Sequence, residues 1–369
     1  MRVPELLDVK TVAVVTNEGL QGGDSAAPLI LGIESTCDET GVALVKGTTL
    51  LGDVTATSIE EHARFGGVIP EIASRAHLQS FLPTLDAALA RAEVTLDQVD
   101  AIACAAGPGL VGSLTVGITA AKGLALGLGV PLYGVNHVLG HLAVDGLAHG
   151  PLPERFIGLV ASGGHSNLLL VENIATSVVE LGGTLDDAAG EAFDKIGRLL
   201  GLPYPGGPHI DRLAQTAADK DAVRFPRGLG AGKDKERYKY DFSFSGLKTA
   251  VARYLDANED ANFAEVAAGF SESINDSLTA KAVRAAQDHD CPAIVVGGGF
   301  AANSRLRELL AERATAQGIQ VRIPPMALCT DNGAQIAALG AQIVAAGLPP
   351  SPINFGPKSN MSLSQSYLT

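Results

Sequence analysis

The chain has 369 residues, 46% hydrophobic and only 18% charged, which describes a globular protein of two-domain length and excludes a disordered one. Its formal net charge of −13 excludes docking on nucleic acid by overall charge, so any RNA contact needs a local basic patch or a partner protein. No uninterrupted apolar run reaches the ~18 residues of a membrane span, the N-terminus lacks a signal-peptide layout, and Cys37, Cys104, Cys291 and Cys329 are scattered without a C-x-x-C pair. The pattern predicts reduced thiols, a cytoplasmic protein and no membrane association.

In chain order, residues 1–28 end in a Gly/Ser/Ala-rich stretch and read as a flexible tail. An apolar run from Leu29, a polar turn at Ser35–Gly41 and a second apolar run then predict a β-hairpin, with Asp38 and Glu39 at its tip. These acids are either solvated turn residues or groups facing a site. A strand near Ala101 leads into a Gly-rich turn and a helix over Ser113–Gly129. Gly107, Gly109 and Gly112 satisfy G-x-G-x-x-G, but the acid a dinucleotide site needs ~20 residues on is missing, and the next acid is Asp145. A tight turn and close helix packing are expected there, with no NAD or flavin.

His137 and His141 follow, two of only 8 histidines, placed one helical turn apart. Such a pair is either packed and hydrogen-bonded or shares a metal ion. Val138 stands where an H-E-x-x-H peptidase carries its general base, and two imidazoles leave an ion short of protein ligands.

The second half repeats the theme. Phe156–Val171 predicts another hairpin, whose "SGGHS" turn offers backbone amides to an anion. Asp186 or Asp187 can cap a helix whose apolar stripe is Ala189, Phe193, Ile196 and Leu200, with Asp194 at its edge. "YPGGPHID" reads as a rigid loop of bare backbone around Gly206 and Gly207. "GGGFAAN" ends a strand and opens a helix from about Asn303, a place suited to a phosphate or a nucleoside. Thr330, Asp331 and Asn332 precede an Ala-rich helix, so Asp331 is either an N-cap or an oxygen ligand for the ion of the histidines. Alternating strands and helices imply α/β lobes, and the paired hairpins suggest duplication around a nucleotide cleft. Expected boundaries are 29–136 for the first lobe, joined by a helix at about 333–347, 137–332 for the second with a helical insertion, and a loose tail at 357–369.

Taken together, "GIESTCDETGVALV", "GGVIPEIASRAH", "AAGPGLVGSLTVG", "NHVLGHL", "VASGGHSNLLLV", "DDAAGEAFDKIGRLLGLPYPGGP", "YDFSFSGLKTAV", "VVGGGFAANSRLR" and "CTDNGAQIAALG" resemble the tRNA N6-adenosine threonylcarbamoyltransferase family, formerly labelled O-sialoglycoprotein endopeptidases. The resemblance spans about residues 30–345. It implies an actin/Hsp70/sugar-kinase-like fold of two duplicated lobes. It implies one divalent metal ion per subunit, iron or zinc, on His137, His141 and Asp331. It implies threonylcarbamoyl-adenylate on Val160, Ala161, Ser162, Gly163, Gly164, Asp194, Gly207, Asp211 and Asn303. The activity implied is transfer of threonylcarbamoyl to N6 of the adenosine 3′ of the anticodon in ANN-decoding tRNAs, releasing AMP. Asp38 or Glu39 would position the amine or accept its proton. Implied partners are tRNA, a paralogous protein of the same fold and a small ATPase. The first 28 residues and "PINFGPKSNMSLSQSYLT" depart from the family pattern, so nothing carries over there. A metallopeptidase, an ATP-dependent kinase or chaperone of the same fold, and a non-catalytic scaffold are the rival readings.

Overall fold

The computed structural model describes residues 9–10, 26–63, 65–229 and 234–369. Most of the tail expected at 1–28 therefore lies outside the described residues. In chain order the strands are β1 (Val9–Lys10), β2 (Leu29–Glu34), β3 (Glu39–Lys46), β4 (Thr49–Thr57), β5 (Ala101–Gly107), β6 (Leu132–Asn136), β7 (Phe156–Ala161), β8 (Ser166–Asn173), β9 (Ser177–Gly183), β10 (Ala293–Gly297) and β11 (Gln320–Arg322). The helices of the first half are α1 (Ile59–Ala63), α2 (Pro70–Ala92), α3 (Val111–Leu128), α4 (His137–Ala143) and α5 (Asp145–His149). Those that follow are α6 (Ala189–Leu199), α7 (Gly206–Gln215), α8 (Asp234–Arg237), α9 (Ser245–Ala257), α10 (Phe263–Asp288), α11 (Ser304–Thr315) and α12 (Gly333–Ala345).

Two compact units result. The first holds the chain up to Leu152, Asn173–Val178 and Thr330–Thr369; the second holds Pro153–Glu172 and Val179–Cys329. The first unit's sheet runs β1-β4-β3-β2-β5-β6 and the second's runs β11-β10-β7-β8-β9. Leaving β1 aside, each sheet places its own strands in the order third, second, first, fourth, fifth. In each, the first strand pairs antiparallel with the second and parallel with the fourth, and the fourth pairs parallel with the fifth. The paired hairpins of the sequence are thus the opening strands of two copies of one topology, the actin/Hsp70/sugar-kinase-like fold. Strands β2 and β7 are buried along their whole length because each lies inside its sheet, which is why they read as continuous apolar runs.

The first unit extends to Leu152 instead of stopping at 136. All seven residues of α4 are buried, and the helix packs on α12, where Gly140 leaves room for the Gln335 carbonyl. The segment 357–369, expected to be loose, is packed along β6. Met361, Leu363, Tyr367 and Leu368 are buried. Leu368 N donates to Gly134 O (2.9 Å), Asn136 N donates to Ser366 O (2.8 Å), and Tyr367 bridges Val135. By length and composition alone α3, with 18 residues and a mean hydropathy of 1.4, is long and apolar enough to cross a membrane, although Lys122 and hydroxyl residues interrupt its apolar run. One face of it, including Leu114, Gly117, Ile118 and Ala121, is buried and packs on α2 and β5.

Candidate functional site

Strand β6 delivers Asn136 to the start of α4, where its side-chain oxygen accepts from the amides of Val138 (3.0 Å) and Leu139 (3.4 Å). This N-cap starts a short helix and sets His137 and His141 on one face. Their rings meet edge to face with centroids 4.8 Å apart. Asn332, and not Asp331, caps α12 by accepting from Gln335 N (2.9 Å). Asp331 instead approaches the imidazoles: its Oδ1 lies 3.3 Å from His141 Nε2 and 3.7 Å from His137 Nε2.

His137, His141 and Asp331 each offer one ligand atom within 4.8 Å of the others. Ligands about 2.1 Å from one tetrahedral ion lie about 3.4 Å apart, so the two histidine–carboxylate distances fit one shared divalent ion. A second observation agrees. His141 is 2% exposed, and neither of its buried ring nitrogens has a hydrogen-bond partner. A buried imidazole left this way is costly unless something takes its lone pair. The donor set is borderline nitrogen plus one hard oxygen, chemistry suited to zinc or iron.

Sequence reading missed the groups behind the triad. Glu34, at the end of β2, is fully buried. Its Oε2 lies 2.9 Å from His137 Nδ1 and 3.2 Å from Gln335 Nε2, and its Oε1 accepts from Thr36 N (2.6 Å) and Thr36 Oγ1 (2.5 Å). Burial alone would depress the His137 pKa; the Glu34 and Asp331 carboxylates and the bond to Glu34 override it and raise the value to about 9. The one signal available in the sequence was an acid closing an apolar strand. His77, also unrecognised, holds the hairpin tip: Thr40 Oγ1 lies 2.7 Å from its Nδ1 and Cys37 O lies 3.1 Å from its Nε2. Burial lowers its pKa and so favours the neutral ring.

Asp38 and Glu39 occupy that same tip. The Asp38 carbonyl accepts from the amide and hydroxyl of Ser58 (3.0 Å each). Burial, then the neighbouring Asp38 and Asp331 carboxylates, hold the Glu39 carboxyl well above its ordinary range. Glu39 thus lies within electrostatic reach of the triad. The Gly107–Gly112 turn is filled by protein. A Cβ on Gly107 would meet Lys358 O at 2.2 Å, on Gly109 the Thr36 side chain at 2.9 Å, and on Gly112 Ser74 Oγ at 2.4 Å.

In the second unit, the expected substrate residues gather where β7 and β10 end and α6, α7 and α11 begin. Val160 pairs with Gly297. Gly190 N donates to Ser162 O (3.1 Å), which ties the "SGGHS" turn to α6. Within that turn Ser162 Oγ accepts from Gly164 N (3.3 Å) and His165 N (3.1 Å), so two of the amides expected to cradle an anion are already engaged. Asp186 and Asp187 do not cap α6. Asp186 accepts from Phe244 N (2.7 Å) and Ser245 N (3.1 Å), Asp187 pairs with Lys195 (2.6 Å), and Ser166 Oγ takes the Ala189 amide (2.9 Å). Asp194 accepts from Gly206 N (2.7 Å), and burial raises its pKa. Gly206 and Gly207, expected in a loop, form the first turn of α7, where glycine and proline are tolerated because early amides have no helical partner. Asp211 Oδ1 accepts from Ser304 Oγ (2.8 Å), and Asn303 caps α11 through Leu306 N (2.9 Å). A cavity of about 250 Å³ opens beside them, lined by Asp211, Gln215, Ser271, Ser304 and Arg305 among others.

Comparison with known proteins identifies the family. The family model for tRNA N6-adenosine threonylcarbamoyltransferase (TsaD) matches residues 49–338. The tRNA N6-adenosine threonylcarbamoyltransferase of Bifidobacterium adolescentis is 51% identical over 342 residues, 92% of this chain and 98% of that protein. Among solved structures, HypF of T. kodakarensis superposes with a TM-score of 0.60 at 16% identity, over 87% of this chain and 48% of HypF. A full-length HypF in the phosphate- and nucleotide-bound form gives 0.59 at 14% identity, over 86% of this chain and 55% of that one. The chain therefore spans about half of those HypF chains, and at such identity the likeness speaks for the fold alone. With the family model covering most of the chain and half the residues shared with a curated member, the chain belongs to the tRNA N6-adenosine threonylcarbamoyltransferases.

Proposed function

We propose that this transferase moves the threonylcarbamoyl group from threonylcarbamoyl-adenylate to N6 of the adenosine 3′ of the anticodon in ANN-decoding tRNAs, releasing AMP, and that it depends on one divalent ion, zinc or iron, held by His137, His141 and Asp331. The observation that carries the metal dependence is the buried His141 ring without hydrogen-bond partners, set against Asp331 and His137. When bound, the ion supplies Lewis-acid polarisation of substrate oxygens and a fixed template.

The rest is chemistry of the chain. An exocyclic aromatic amine is a weak nucleophile, so the acyl donor must be activated and held in line. The N6–carbonyl bond forms, the carbonyl–phosphate bond breaks, and AMP leaves with the electron pair. Val160–Gly164, Asp194, Gly207, Asp211 and Asn303 bind the adenylate in this reading. Asp38 or Glu39, at the hairpin tip, positions the amine or takes its proton. The anticodon loop is single-stranded, so its base can leave the stack at modest cost.

Helper proteins belong to this reading, because a net charge of −13 opposes docking on a polyanion. The first unit exposes Leu78 (67%) and Leu82 (65%), one turn apart on α2, and Leu126 (70%) on α3, apolar side chains suited to a paralogous partner of the same fold. A small ATPase completes the assembly. We place the reaction in the cytoplasm, in keeping with four free cysteines.

The test is reconstitution from purified chain, pre-made adenylate and tRNA, with and without the partners, followed by a nucleoside digest. The threonylcarbamoyl-adenosine mass is expected only with the complete mixture. His141→Ala should lose both bound metal, by elemental analysis, and transfer; full metal content in that variant overturns the metal assignment. Many turnovers by the chain alone, unchanged by the partners, overturn the dependence on helpers.

A further inference from the structure

We infer that Glu34 is a positioning residue that fixes the His137 imidazole with its proton on Nδ1, so that the Nε2 lone pair is the one presented beside His141 and Asp331. The inference rests on the metal reading above and goes one layer behind it. A carboxylate only accepts hydrogen bonds, through about four lone-pair sites. The groups around Glu34 fill all four. Thr36 N and Thr36 Oγ1 lie 2.6 and 2.5 Å from Oε1, and Gln335 Nε2 and His137 Nδ1 lie 3.2 and 2.9 Å from Oε2. Three of these partners are donors by nature. The fourth, His137 Nδ1, must therefore be a donor too, since an unprotonated Nδ1 would set a lone pair against a carboxylate oxygen in a fully buried place.

The alternatives at Nδ1 are closed by the same geometry. Thr36 Oγ1, 3.4 Å from Nδ1, has a closer acceptor in Glu34 Oε1 at 2.5 Å, and Gln335 Nε2, 3.1 Å from Nδ1, has an anionic acceptor at nearly the same distance in Glu34 Oε2, 3.2 Å away. Gln335 lies in the first turn of α12, four residues past Asp331, so one segment supplies both a triad member and the group that steadies Glu34. An outer partner of this kind orients a ligand ring and raises its basicity, and its loss costs ligand affinity about 10–100-fold.

The experiment uses the full chain and zinc or cobalt alone as probes. Glu34→Gln keeps the shape but puts an amide where Oε1 or Oε2 accepted. Zinc affinity by competition titration should fall about 10–100-fold, and the visible cobalt spectrum should shift, while the unfolding midpoint of the metal-free protein shows the variant folded. Unchanged zinc affinity with an unchanged cobalt spectrum overturns the inference. Should Glu34→Gln fail to fold, nitrogen-15 spectra of zinc-loaded wild-type protein decide: a hydrogen-bonded Nδ1–H on His137 supports the role and an unprotonated Nδ1 overturns it. His141→Ala separates the two layers. If it keeps full zinc affinity the metal reading itself fails, whereas zinc loss there with none in Glu34→Gln removes only the role of Glu34.

Discussion

Asn136 does two structural tasks with one side chain. Its oxygen caps the helix of the histidines, and its Nδ2 donates to Ser362 O (3.0 Å) and Gln365 O (2.9 Å). Losing an N-cap costs about 1 kcal/mol and losing two part-buried hydrogen bonds about 0.5–1.5 kcal/mol each. Asn136→Ala should therefore destabilise the protein by about 2–4 kcal/mol in urea unfolding; a loss under about 0.5 kcal/mol would mean the cap and clamp contribute little. The histidine pair was legible in the sequence because a helical turn brings i and i+4 together without any knowledge of the fold. Glu34 was not, since it lies 103 positions from His137 and 301 from Gln335 and meets them only through the sheet and α12. Asp331 and Asn332 show the intermediate case. Both residue types cap helices, so spacing left the cap and ligand roles open until the backbone gave the cap to Asn332.

At the level of elements, strands and helices followed from apolar period and turn chemistry, but glycines were ambiguous because the same residue serves ligand approach and protein approach. Gly298 illustrates the second use. It sits between β10 and the turn to Asn303 with φ +92°, and a Cβ there would come 2.3 Å from Ala161 O. Gly298→Ala combines left-handed strain with a backbone clash, and we expect at least about 3 kcal/mol of destabilisation by thermal unfolding. A loss below about 1 kcal/mol would show that the β7–β10 junction yields. The "PGGP" stretch misled for a related reason. Its glycines carry no helical propensity, yet Gly206 must be small because Phe193 O and Asp194 Cα would lie 2.7 and 3.0 Å from a Cβ. Packing against α6 outweighs propensity, and helix α7 forms where local rules predict a loop.

For the whole molecule, a buried charge sets a dependence on pH. Asp53 on β4 is 2% exposed, and its carboxyl oxygens have no hydrogen-bond partner, although the Gly333 and Ala334 amides face it. Burial raises its pKa to about 7, with those amides and Arg91 pulling the other way. The folded state thus holds a proton that the unfolded chain, at about 4, has released. Stability from this group is full below about pH 4 and is lost as pH rises to about 7. Asp53→Asn should remove that slope, making the variant more stable than wild type above pH 7 by a few kcal/mol and little different below pH 4. Equal slopes in denaturant titrations across pH 4–8 would rule this out. The duplicated strand order was readable as two hairpins, whereas the packing of residues 357–369 was not, because its backbone bonds to β6 carry no residue signature and its apolar residues follow no regular period. That clamp has a consequence for biosynthesis. At about 5–20 residues per second, a ribosome needs roughly 10–40 s to travel from His141 to Asp331, and longer to reach the segment that secures Asn136. During that interval the emerging chain displays both imidazoles and Glu34 but neither Asp331, Gln335 nor the clamp. The triad and its support can form only once Asp331, Gln335 and the clamp have been made, so their assembly follows that of the segments carrying the histidines and Glu34.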